Sequence, residues 1–106
     1  DTGISGQAAE KVAQKLEKVS LQKQTIIITH SGTIAAMADH HYLIEKKVSG
    51  GRTMTGLQML DKEGRIREIA RLGSGGQITE TACRHAEELL SLAAETKAGL
   101  VRAEKA

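Results

Sequence analysis

The sequence predicts an α/β fold: a βαβ unit, an antiparallel hairpin, then C-terminal helices. Three observations carry this. Ile26, Ile27 and Ile28 lie consecutively inside "QTIIITH", and an unbroken β-branched run suits a strand covered on both faces, as in a parallel sheet. "SGGR", residues 49–52, is a glycine turn between two strand-like runs, which is a hairpin signal. Elsewhere the apolar residues recur at helical spacing.

Residues 1–6, "DTGISG", are turn-like, and Ser5 is placed to cap the helix that follows. From Gln7 to Val19 the apolar positions are Ala8, Ala9, Val12, Ala13, Leu16 and Val19, with Glu10, Lys11, Gln14, Lys15 and Lys18 turned outward. Residues 24–30 read as a strand, Thr33 to Ala38 as a short helix, and 40–48, "HHYLIEKKV", as a second strand. A helix between two strands forms a βαβ unit with a right-handed crossover. The run 53–60, "TMTGLQML", alternates more, so it reads as an antiparallel strand near an edge. Residues 61–72, "DKEGRIREIARL", form a helix with Ile66, Ile69, Ala70 and Leu72 on one face, and "GSGG", 73–76, ends it. Thr79 caps a long helix through Ala82, Cys83, Ala86, Leu89, Leu90 and Ala93, with Ile78 placed to staple onto Cys83. The pattern fades past Thr96, dividing the chain into a folded part, 1–96, and an expected frayed tail, 97–106.

The chain has 106 residues and a net charge of +2, which gives weak attraction to phosphate without a basic stripe. It has no Phe or Trp and one Tyr, Tyr42, so alanine and β-branched residues must do the packing. Cys83 is the one cysteine; it allows no internal disulfide, fits a reducing compartment, and reads as a small packing residue. No apolar run reaches the roughly 20 residues of a membrane span. The start at Asp1 reads as a cut from a longer protein.

Candidate chemistry centres on His30. A residue just past the C-terminal end of a parallel strand sits where open α/β sheets place their ligands; equally, a histidine there can hydrogen-bond its own loop. In "DTGISG" the small residues can serve a capped loop or a close approach to a ligand or partner subunit. "GSGG" lacks the preceding strand and the closing Gly-Lys-Ser/Thr of a phosphate loop, and reads as a linker. His40 and His41 face opposite sides of a strand, and Cys83 and His85 do not share a helix face, so no metal site is predicted.

The ordered segments "DTGISG", "ITH", "ADHHYLIEKKV" and "REIARL" together resemble the C-terminal end of the RecN family, bacterial DNA repair proteins that are SMC-like ATPases of the ABC class. The resemblance covers nearly all of residues 1–95. It implies the C-terminal lobe of a P-loop ATPase head. Asp1 matches the last Asp of the Walker B strand, which opens the D-loop. Asp1, Gly3, Ser5 and Gly6 would then lie at the nucleotide and the interface with a second head, and His30 would be the switch histidine reaching the γ-phosphate. Walker A, the magnesium-binding Asp, the catalytic Glu and the coiled coil would lie upstream. The intact parent would bind ATP and magnesium, act as a homodimer of heads on DNA in double-strand-break repair and recombination, and reside in the cytoplasm at the nucleoid. The chain alone is expected to bind neither ATP nor magnesium and to hydrolyse nothing.

There is one departure. Members of this family often read His-Leu-Pro-Gln after the strand, where this chain has His30-Ser31-Gly32-Thr33, exchanging proline's fixed φ for a flexible glycine. Two other classes remain: a dimerisation or binding module without nucleotide chemistry, and the head of another ABC-class ATPase such as a transporter subunit. An upstream Walker A motif and long heptad region would separate the first from the RecN reading, and "ADHHYLIEKKV" and "REIARL" argue against the second. With Ile26 to Ile28 lacking neighbouring strands, the chain alone is expected to self-associate or reshuffle its strands.

Overall fold

A computed structural model of the chain describes residues 6–105, with side chains described as far as residue 103. Four helices and one hairpin follow in the order α1 (Gly6–Ser20), α2 (Gly32–Ala36), β1 (Tyr42–Ser49), β2 (Arg52–Met59), α3 (Lys62–Gly73) and α4 (Glu80–Lys105).

The helices follow from local signals. In α1, Ala9, Ala13 and Glu17 recur every fourth residue and are buried, while Lys11, Gln14, Lys15 and Lys18 are exposed. The Ser20 hydroxyl donates to Glu17 O at 2.7 Å in the last turn. Asp61 caps α3, its carboxylate accepting from Gly64 N at 2.8 Å. The same helix ends where Gly75 and Gly76 take φ of 71° and 107°, values that L side chains rarely adopt. Thr79 caps α4, accepting from Ala82 N at 3.0 Å. This helix continues to Lys105, through the stretch where the apolar pattern fades. Its residues there, Glu95 to Lys105, are mostly strong helix formers.

The hairpin is antiparallel, in register from Tyr42 opposite Met59 to Ser49 opposite Arg52. Gly50 and Gly51 form its two-residue turn with φ of 58° and 78°, the pair of positive values that matches the twist of the flanking strands.

The predicted strand at 24–30 and the βαβ unit are corrected. Among the described residues the sheet has two strands, β1 and β2, and residues 24–30 run extended without joining a ladder. The predicted strand 40–48 is observed as β1, Tyr42–Ser49, and it pairs with its sequence neighbour, not with 24–30. Connection length supplies the reason. Residues 31–41 would have to make the whole crossover, and a parallel crossover needs about a dozen or more residues. A two-residue glycine turn closes β1 onto β2 at a far smaller entropic cost. The mixed α/β class stands, as helices plus an antiparallel hairpin.

The core lies between the helices: Ala13, Ile34, Ala35, Ala36, Met37, Ile69, Ala70, Ala86 and Ala93, with Leu16, Ile66, Cys83, Leu89 and Leu90 packed against it. Alanine dominates, so the backbones approach closely around a few larger side chains, Ile34, Met37 and, most fully buried of them, Ile69. The hairpin stands outside this core. Tyr42, Ile44, Val48, Leu57 and Met59 are all at least half exposed. By the register, these residues share one face of the hairpin.

Candidate functional site

His30 ends an extended segment whose side chains alternate. Ile26 and Ile28 are 85% and 86% exposed, Ile27 is 43% exposed, and Thr25 and Thr29 are half-buried. The segment therefore has the period of a strand without a strand's partners. His30 is exposed and is bracketed by local ties. The Thr29 hydroxyl accepts from Ser31 N at 3.0 Å. The Ser31 hydroxyl accepts from Ile34 N at 3.3 Å, capping α2. The turn "HSGT" thus enters a helix directly, and proline's fixed φ is replaced here by a serine cap.

Gly32 opens α2 against α3. A Cβ at this position would lie 3.3 Å from Ile69 Cγ2, so the absent side chain is what lets the two helices meet so closely. The other end of α2 is held by cations. Arg65 Nη2 donates to Ala35 O at 3.1 Å, Ala36 O at 3.3 Å and Ala38 O at 3.0 Å. Lys97 Nζ donates to Ala38 O at 3.3 Å and pairs with Asp39 Oδ1 at 3.1 Å.

Around this clamp several polar groups are buried. The Nε of Arg65 and the Nδ1 of His41 are buried with no hydrogen-bond partner among the described residues. Burial, then the Arg65 cation, lowers the His41 pKa below its ordinary 6.5, with Glu68 opposing. Glu17 is raised above its ordinary range by burial and then by Asp39, with Lys97 and Ser20 opposing. Glu68, 9% exposed, is paired with Arg71 on the same helix.

The His41 shift has a measurable consequence. In the folded chain His41 binds a proton less readily than in the unfolded one, so unfolding takes up protons below about pH 6.5. Its contribution is present above that pH and is lost as pH falls through the lowered folded value. Urea denaturation is expected to show lower stability at pH 5.5 than at 7.5, and His41→Asn should remove part of that difference. An unchanged pH slope in the variant would exclude His41 as the source. Glu17 acts oppositely and at lower pH, where protonating its carboxylate relieves a burial penalty; comparison with the variant at each pH separates the two.

Of the sequence-predicted site residues, Asp1, Gly3 and Ser5 lie outside the described residues. Gly6 begins α1 with open space where a Cβ would go. His30 precedes α2, and α1 packs on α2, so Gly6 and His30 belong to adjoining elements. Among the described residues no cluster of His, Cys, Asp and Glu could hold a metal ion. Any magnesium site would have to draw on other residues.

Sequence reasoning passed over Arg65, Lys97, Glu17 and Glu68. For two of these a signal was present. Arg65 lies four residues before Ile69 and seven before Leu72, which places a cation on the apolar stripe of α3. Glu17 likewise continues the spacing of Ala9 and Ala13.

The chain is 43% identical over 97 residues to the DNA repair protein RecN of Bacillus subtilis, which covers 92% of this chain and 17% of that relative. This chain is homologous to a portion of RecN. RecN of Deinococcus radiodurans is 44% identical over 91 residues, with 86% of this chain and 16% of that protein covered. RecN of Vibrio cholerae is 40% identical over 90 residues, covering 85% and 16%. The chain thus spans about a sixth of the length of these RecN relatives. No family model matches it. Among the described residues no helix is long and apolar enough to cross a membrane.

Proposed function

We propose that this chain is the C-terminal part of a RecN-type ATPase head, working in DNA double-strand-break repair and recombination. In this reading residues 1–6 form the D-loop facing a second head, and His30 donates an imidazole N–H to the terminal phosphate of ATP. The observation that carries it is the combination of homology along some nine-tenths of the chain with an exposed imidazole at the exit of an extended apolar segment. An N–H donor aimed at developing phosphoryl charge stabilises the transition state without binding the metal. ATP with magnesium supplies the transferable phosphoryl group. The other ligands of both come from the rest of the polypeptide, and the intact protein works in the cytoplasm, at the nucleoid.

The test compares two proteins. The intact polypeptide is expected to hydrolyse ATP, and the 106-residue chain alone to show no turnover. An intact polypeptide with no ATP turnover, with or without DNA, would remove the ATPase reading and leave a dimerisation module.

Ile26 and Ile28 fit the same reading, since an extended β-branched segment with open edges suits insertion between strands supplied by the rest of a head. Full burial of each such side chain is worth about 1.5–3 kcal/mol. In isolation the chain is expected to cover this segment and the apolar hairpin face by self-association. Analytical ultracentrifugation should detect dimers or larger species at micromolar concentration, and a single monomeric boundary across the range would contradict this.

A further inference from the structure

We propose that Arg65 is a positioning residue for His30, acting through α2. The inference rests on the reading of His30 as the phosphate contact and deepens it: the aim of the imidazole is set from α3.

α2 has five residues. A helix leaves its last four carbonyls without intrahelical partners, so a helix this short cannot sustain itself by its own hydrogen bonds. Two tightening bonds close its end, Met37 N to Ile34 O and Ala38 N to Ala35 O, both 3.1 Å. The remaining demand falls on Arg65. Its Nη2 carries two hydrogens and faces the carbonyls of Ala35, Ala36 and Ala38. The three acceptors therefore share them, and one guanidinium gathers three carbonyls of the C-terminal end. A permanently charged donor at the negative end of a helix is the favourable sense of the interaction. Lys97 reinforces the outermost carbonyl, that of Ala38.

The opposite end of α2 is fixed by packing. Gly32 sits against Ile69, one helical turn beyond Arg65 on the same face of α3. Arg65 and Ile69 thus hold the two ends of α2 on one rail. His30 stands two residues before Gly32, and the Ser31 cap and the Thr29–Ser31 bond transmit the helix position to it. Loosening the Arg65 end frees α2 to rotate about its Gly32 end, and the imidazole turns with it. The serine-glycine turn, without proline to fix it, makes this external hold more important.

The alternative is that Arg65 merely stabilises the fold. The two roles differ in how turnover depends on His30. In the intact polypeptide, kcat and KM for ATP are measured for Arg65→Met, Arg65→Lys, Lys97→Met, His30→Ala and the double variant His30→Ala/Arg65→Met, with hydrogen exchange followed over residues 29–38. Arg65→Met is expected to raise exchange in that segment and to lower kcat about tenfold with KM little changed, since small misplacements of a reacting group carry losses of this order or larger. Arg65→Lys should recover part of the loss, and Lys97→Met should show a smaller effect of the same kind. In the His30→Ala background, Arg65→Met should have no further effect on kcat, the signature of two residues acting as one unit.

An equal kcat loss from Arg65→Met with and without His30 would overturn the proposal, as would unchanged exchange over 29–38. If His30→Ala leaves kcat untouched, the phosphate-contact reading has failed and the positioning role falls with it; faster exchange in Arg65→Met would then mark a structural clamp only. Should Arg65→Met fail to fold, Arg65→Lys and Lys97→Met carry the same comparison in both backgrounds.

Discussion

His30→Ala in the intact polypeptide is expected to cut ATP turnover about 100-fold while changing ATP affinity by no more than about threefold. The magnitude is that of losing one donor aimed at transition-state charge. The asymmetry follows from where charge grows. A terminal phosphate in the ground state is already held by many groups, so one exposed imidazole adds little to binding, whereas the donor matters most as the bond breaks. The substitution is also structurally mild. His30 is exposed, and the Thr29 and Ser31 hydroxyls that cap α2 remain in place in the variant. A change in folding stability beyond about 0.5 kcal/mol is therefore unexpected. His30→Gln, which retains an N–H donor, should recover part of the activity. Steady-state turnover and equilibrium binding of a nucleotide analogue separate the outcomes: parallel losses in both would assign His30 to the fold, and the phosphate reading would be wrong.

What could be read ahead of the structure was local. The alanine spacing of α1, the Thr79 cap and the Gly50–Gly51 turn each act over a few residues, and each recurs in the structure. The error at 24–30 was of a different kind. Its composition correctly signals an extended, strand-like backbone, but a ladder requires a partner, and no local feature specifies which residues that will be. Here β1 pairs with its sequence neighbour Arg52–Met59, and residues 24–30 join neither strand. The clamp was hidden for another reason. Arg65 looks like one more surface cation until its spacing to Ile69 is used, and its three acceptors lie some thirty residues earlier in the chain. Lys97 was set aside because the apolar pattern of α4 weakens there, yet it ties the helix to Ala38 and Asp39. The D-loop match at Asp1, Gly3 and Ser5 lies outside the described residues, so that half of the candidate site is still carried by resemblance.

Ile69→Ala is expected to destabilise the chain by about 2–5 kcal/mol. Ile69 is 2% exposed and is the largest fully buried side chain among the described residues. Its surroundings make the upper part of that range the better expectation. Most of the core around it is alanine, including Ala13 and Ala86 at 0% exposure, and alanine has no longer rotamer with which to fill a vacated space. Neighbouring backbones would have to move instead, and the Gly32 contact that seats α2 on α3 would be lost with the side chain. Against a total stability of about 5–15 kcal/mol for a domain, the loss is large enough to shift the urea midpoint by a wide margin. Ile69→Val, removing one methyl, should cost only about 0.5–1.5 kcal/mol. Ile28→Ala supplies the control when measured at dilutions where the chain is monomeric, since the same side chain is 86% exposed there and has little burial to lose. Equal midpoints for Ile69→Ala and the unsubstituted chain would mean that the helices do not pack around Ile69, and the placement of α2, with His30 ahead of it, would have to be drawn again.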